Sequence, residues 1–158
     1  MKTSLIPIIA ICLCLSCQVI ELEPLSNEVN IASLTPTSMP SSNVEAASML
    51  HDDSEKIWQA VAFKFLEMEG TLDCRADDKI TLNSDGTYIY DGGDLLCGAE
   101  DNEKLRSGVW NIDDQGNRVT FSFEGSEFFA QVDGFSPDTI ALTSAYMGLE
   151  ITGIYISN

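Results

Sequence analysis

From Ile57 onward the chain is written in short runs of alternating apolar and polar residues separated by turn signals. Ile57 to Leu66 places apolar side chains at Ile57, Val61, Phe63 and Phe65, with Gln59 as the exception. A helix competes, because Trp58, Ala62 and Phe65 share one helical face, but the aromatic and β-branched content favours a strand. Lys79 to Asn83 predicts a second strand, closed by Asn83-Ser84-Asp85-Gly86, a type I turn with Gly86 in the left-handed region. That turn sets Asn83 opposite Thr87, Leu82 opposite Tyr88 and Ile80 opposite Tyr90. Both tyrosine rings then point inward, and Thr87 and Ile89 point out.

After an acidic loop from Asp91 to Lys104, Leu105 to Ile112 reads as a strand, and Asp114-Gln115-Gly116-Asn117 as the next turn. Pairing Asp113 with Arg118 brings Ile112 to Val119 and Trp110 to Phe121. Gly125-Ser126 fits a two-residue II′ turn that would set Phe123 against Phe128 and Phe121 against Ala130. Val119, Phe121, Phe123, Phe128, Ala130 and Val132 then share a face, so the registers are mutually consistent. Thr139 to Ser144 and Leu149 to Ile156 complete the set. The last run is apolar on both faces at Ile154, Tyr155 and Ile156, which predicts cover on both sides or pairing with the first strand. Eight short strands joined by hairpins predict an all-β fold, a small up-and-down antiparallel β-barrel closed on itself to remove its edges. Eight strands enclose an interior just wide enough to be filled or to hold one small ligand.

Composition divides the chain. Residues 18 to 53 contain no glycine and no aromatic residue, and carry Pro24, Pro36 and Pro40 among scattered Ser, Thr and Glu. Such a stretch buries too little apolar surface to offset its ordering entropy, which predicts a disordered tether over 17–53 and a folded domain over 54–158. Asn43 to Leu50 is the one place in it with helical character, behind an Asn cap. His51, the only histidine, is expected to be solvated there.

Met1-Lys2, the apolar run Leu5 to Leu15 and Leu15-Ser16-Cys17 have the order of a secretory signal over residues 1–16. The apolar run is too short to span a bilayer. Leu-Ser-Cys resembles a bacterial lipobox, with Cys14 where leucine is usual three residues before the cysteine. The resemblance implies that Cys17 is the acylated mature N-terminus and the membrane anchor; several acyl chains hold stably where one does not. Gln18, where a retention signal would have Asp, implies the outer membrane by the same resemblance, with the face left open. The chain carries 25 acidic against 8 basic residues, a formal net charge of −17. That balance argues against nucleic acid, whose phosphates need Lys and Arg, and against charge-driven docking on anionic lipid. It serves solubility.

Trp58, Cys74 with Asp77-Asp78, Ile80-Thr81-Leu82, Asp85-Gly86-Thr87-Tyr88, Cys97 and Gly108-Val109-Trp110 occur in this order behind the lipobox and tether. In that order and spacing the chain resembles the small lipocalin-like lipoproteins of Bacteroidetes-type bacteria, over most of residues 54–158. The resemblance implies a calycin-like barrel in the cell envelope. Lys56-Ile57-Trp58 lacks the glycine of the Gly-x-Trp motif of larger lipocalins, and the domain is shorter, which speaks against a large cavity.

Cys74 and Cys97, two cysteines in an exported domain, predict one disulfide. Tyr88, Tyr90, Trp110, Phe121, Phe123 and Phe128 are candidates to line an apolar ligand pocket, or else they form a packed core. Asp77, Asp78, Asp91 and Asp94 match no EF-hand spacing, so neither a metal nor another cofactor is read. One histidine in the tether leaves no Ser-His-Asp, Cys-His or histidine-based zinc arrangement inside the barrel, and no carboxylate pair is singled out, so a non-enzymatic protein is expected. Two functions remain: a carrier of a small hydrophobic molecule, or an interaction module for an envelope protein.

Overall fold

The structure is a computed structural model that describes residues 26–28, 30–66, 68–95, 97, 105–146 and 148–157. The expected signal peptide, the anchor Cys17 and much of the acidic loop lie outside those residues.

In chain order the elements are β1 (Ser26–Glu28), α1 (Ile31–Leu34), α2 (Asn43–His51), β2 (Glu55–Phe65), β3 (Met68–Thr71), a 3-10 turn (Asp73–Arg75), β4 (Lys79–Asn83), β5 (Thr87–Asp91), β6 (Leu105–Ile112), β7 (Arg118–Phe123), β8 (Ser126–Phe135), β9 (Thr139–Tyr146) and β10 (Leu149–Ser157). β4 to β10 follow one another as an antiparallel meander, and β2 closes it by pairing with both β10 and β4. The result is the expected eight-stranded up-and-down barrel. β2 is shared lengthwise: Glu55 to Gln59 pair with β4 and Phe63 to Phe65 with β3, which carries β1 on its outer edge.

The β4–β5 and β6–β7 registers are those the turns predict: Leu82 faces Tyr88, Ile80 faces Tyr90, Trp110 faces Phe121 and Ile112 faces Val119. The β7–β8 hairpin differs. Glu124 and Gly125 both adopt positive φ (47° and 82°) and form the turn themselves, so Phe123 pairs with Ser126, Phe121 with Phe128 and Val119 with Ala130. The slip is two residues, and because strand faces alternate with period two the predicted inward set is unchanged. In β2 the expected face fails halfway. Ile154 pairs with Ala62 but Tyr155 with Ala60, a bulge that leaves Val61 as an extra residue. Lys56, Trp58 and Ala60 therefore turn inward before the bulge, Ile57 is exposed, and Phe63 and Phe65 take the inner face only after it.

The larger correction concerns residues 30 to 53, which are seated on the barrel rather than forming the distal part of a tether. Ser42 caps α2 by accepting from the Glu45 amide (3.2 Å), and Glu45 reaches back to Ser41 (2.7 Å to its amide), a variant of the capping box. The helix closes the barrel end where β2 begins. Leu50 is 2 % exposed and joins Trp58, Leu82, Trp110, Val119, Val132, Phe135 and Ile140 in one core. Two residues of β2 hold its C-terminal carbonyls, which the helix itself cannot satisfy: Trp58 Nε1 donates to Leu50 (2.9 Å), and Lys56 Nζ donates to Met49 (3.1 Å), Asp52 (3.1 Å) and the Pro137 carbonyl. The segment before α2 runs over the outer wall. Ile31 packs on Ala62, Ala141 and Ile154, the Ile31 amide donates to Glu69 (2.9 Å), and the Phe135 amide donates to Ser38 (2.9 Å). Gly134 is where this strap lies closest, since a Cβ there would overlap the Pro36 carbonyl. Composition hides this packing because few apolar residues, Ile31 and Leu50 foremost, do the anchoring.

Candidate functional site

The barrel has one end sealed by α2 and an opposite mouth rimmed by the β2–β3, β7–β8 and β9–β10 turns and the loop after β5. The six aromatic candidates divide between them. Tyr88, Phe121 and Phe128 form a ladder toward the mouth: Tyr88 meets Phe121 edge-on (5.2 Å, 84°) and Phe121 stacks on Phe128 (4.9 Å, 11°). Tyr88 and Phe121 are buried, Phe123 is half-buried, and Phe128 is half exposed at the rim. Gly108 is paired with Tyr88, and a Cβ there would overlap the Ser122 carbonyl and crowd the tyrosine ring. Trp110 belongs to the sealed end: its indole donates to Asn83 (3.1 Å) and its ring lies 6.0 Å from that of His51.

An internal cavity of about 20 Å³ is bounded by Leu50, Trp58, Ile80, Leu82, Val119, Phe121, Ile140, Leu142 and Tyr155. Of the six candidates only Phe121 touches it. A dry apolar cavity that accepts a benzene-sized molecule is about 150 Å³. A second hollow of about 520 Å³ lies outside the barrel beside α2, lined by Asp52, Glu55, Lys56, Ile57, Pro137 and Ser157. Its lysine is already committed to the α2 carbonyl and Asp52.

Tyr90 leads into a polar cluster near the mouth. Its hydroxyl donates to Asp78 (2.6 Å) and accepts from Arg75 (2.7 Å), and Arg75 pairs with Asp78 (3.1 Å). The Arg106 guanidinium lies over the Tyr90 ring at 5.8 Å. Tyr155 points into the same interior. Burial, reinforced by the negative charge of Asp78 and opposed by Arg75, pushes its pKa up to about 12. Burial likewise raises Tyr88. Sequence reasoning placed Tyr90 correctly but missed its partners, because Arg75 and Asp78 reach it only once the 3-10 turn folds back over the mouth.

That turn is tied down twice. Cys74 and Cys97 form the expected disulfide, with Cα atoms 4.9 Å apart. Asp77 accepts from the amides of Asp94 (2.6 Å) and Leu95 (3.3 Å), and Gly93 (φ +61°) leaves room for its carboxylate. Three of the four aspartates that match no EF-hand spacing have structural work: Asp77 caps a loop, Asp78 pairs with Arg75, and Asp91 accepts from Gly93 (3.0 Å). Among the described residues no group of three or more His, Cys, Asp or Glu is placed to hold a metal ion. His51 is half-buried in α2 rather than solvated, and its Nδ1 is enclosed without a hydrogen-bond partner among the described residues. Among the described residues no helix is long and apolar enough to cross a membrane. No protein-family model matches the chain, and no curated protein matches it either.

Proposed function

We propose that this chain is a lipid-anchored lipoprotein of the outer membrane whose barrel acts as a non-enzymatic interaction module rather than as a carrier. The observation that carries the reading is the small internal cavity beneath Leu50, about 20 Å³, far below what a small hydrophobic cargo needs. The fold is compatible with the lipocalin-like resemblance, and the shorter domain and missing Gly-x-Trp glycine favour a filled member of that architecture. The anchor rests on Leu15-Ser16-Cys17.

Native mass spectrometry on the full chain, exported through an oxidising compartment and extracted in a mild detergent that is removed in the gas phase, tests the first part. A mass equal to the acylated polypeptide alone is expected. Added mass that leaves on organic extraction would restore the carrier. Labelling with radioactive palmitate tests the second part: label should enter the wild-type chain and be lost in Cys17→Ala, and label retained in the variant would remove Cys17 as the anchor.

A further inference from the structure

The mouth carries an arc of exposed apolar side chains, one of which, Phe128, also stacks on Phe121. Leu66 is 56 % exposed, Met68 49 %, Phe128 51 % and Leu149 39 %. They stand on three hairpins that the sheet registers make neighbours. Phe65 pairs with Ile151, Leu149 with Tyr146 and Ala130 with Ser144, so the β2–β3, β9–β10 and β7–β8 turns follow one another around the rim. Two of the three turns are strained. Leu66 sits at φ +55° and Glu124 at φ +47°, a region that glycine occupies freely and that costs a bulky residue. Leu66 thus combines an unfavourable backbone with an exposed side chain, and neither helps the isolated chain.

The exposed, unpaired charges of this arc are acidic. Glu124, Glu127 and Glu150 are exposed, and none of them makes an ion pair among the described residues. Among the described cations, Lys64 near these tips is paired with Glu69 (3.1 Å), and Arg106 on neighbouring β6 lies over the Tyr90 ring. An acidic border repels an anionic lipid surface and a second copy of a chain this acidic, whereas it complements Lys and Arg.

We infer that this rim is the docking surface of the module, and that its occupant is a partner protein segment presenting apolar side chains bordered by lysine or arginine. The inference rests on the interaction-module reading and names its surface and partner chemistry. Apolar contacts at the centre supply the affinity and the acidic border selects the partner.

Two synthetic amphipathic peptides with the same leucine face, one with a lysine and one with a glutamate polar face, are the probes, titrated against the full chain by fluorescence anisotropy. The lysine peptide should bind, and Leu66→Ser with Leu149→Ser should weaken it by at least about tenfold. Glu124→Lys, Glu127→Lys and Glu150→Lys together should transfer the preference to the glutamate peptide. Equal binding of the two peptides, or apolar substitutions that leave binding within about twofold, overturns the inference. So does a preference for phosphatidylcholine vesicles, or self-association through these tips. If the double variant melts early, methyl NMR on the wild-type chain decides: shifts at Leu66, Met68 and Leu149 support the rim, and shifts confined to Ile89 and Val109 on the outer wall refute it. A photo-crosslinking residue at Leu66 or at Val109 in cells separates this inference from the broader reading. A protein captured only from Val109 keeps the interaction module and overturns the rim, whereas capture from neither site overturns both.

Discussion

Leu50→Ala asks whether α2 is part of the cooperative fold. Leu50 is 2 % exposed, lies in the main core and borders the internal cavity of about 20 Å³. The substitution removes three carbons, worth about 2.4 kcal/mol at about 0.8 kcal/mol per buried CH₂. A closed, hydrogen-bonded barrel wall collapses poorly into the space left, and each 40 Å³ or so that stays empty adds roughly 1 kcal/mol. The expected loss is therefore about 3 to 4 kcal/mol, large against the 5 to 15 kcal/mol or so that a domain of this size has in total. Urea unfolding followed by tryptophan fluorescence reads it, because Trp58 donates to the Leu50 carbonyl and Trp110 lies beside His51. The midpoint should fall with the slope unchanged. A loss below about 1 kcal/mol would refute the reasoning, since α2 would then come and go without the barrel noticing. Hydrogen exchange checks the same point independently: protection of the Val119 and Val132 amides should fall together with that of α2.

Removing the bridge by Cys74→Ser with Cys97→Ser should cost on the order of 3 kcal/mol on the chain-entropy view, read as a lowered urea midpoint; a change within error would mean that the Asp77 cap alone holds the loop. The intact chain should also gain the mass of two hydrogens on reduction, and free thiols found without reduction would refute the bridge. Tyr155 has a pKa raised to about 12 by burial, so the folded chain holds a proton there that the unfolded chain loses near its ordinary pKa of about 10. Stability from this group is complete below about pH 10 and falls as pH rises toward about 12. Tyr155→Phe should flatten that decline and remove the highest-titrating component of the tyrosinate absorbance, and an unchanged titration would place the hydroxyl in solvent.

The barrel was legible in the sequence because its information is local. Asn83-Ser84-Asp85-Gly86 and Asp114-Gln115-Gly116-Asn117 dictate their own registers, and those registers agree with the alternation on either side. The β7–β8 turn was ambiguous because Gly125 serves equally as the first residue of one two-residue turn or the second of another; the outcome depends on Glu124 accepting a conformation it disfavours. The Val61 bulge leaves no mark in a single strand, since it is defined by how β10 pairs with it. α2 did carry a signal, Ser42-x-x-Glu45, but what seats it is Lys56 and Trp58 from another element. The candidate site divides the same way. Inward-pointing aromatics follow from alternation, whereas whether they surround a void depends on Leu50 arriving from outside the barrel. The Arg75–Asp78–Tyr90 cluster depends on a turn closed by a distant cysteine.

Seating residues 30 to 53 on the barrel changes what an anchor at Cys17 would mean. A tether reaching to Ser54 spans at most about 130 Å when fully extended, enough to sample a wide volume above a membrane. The chain enters β1 at Ser26 instead, and nine residues reach at most about 30 Å. On the proposed anchor the barrel therefore stays within roughly its own height of the bilayer, and β1 lies beside β3, whose hairpin carries Met68 and leads from Leu66. On that anchor, a partner resident in or on the same membrane is the one this placement favours. Confinement on so short a leash gives effective concentrations of about millimolar, so four apolar side chains and an acidic border suffice at an intrinsic affinity too weak to survive dilution. Solubilising the membrane should then dissolve the complex, while crosslinking before lysis should retain it. A complex that survives detergent and dilution unchanged would require a larger interface than this rim provides.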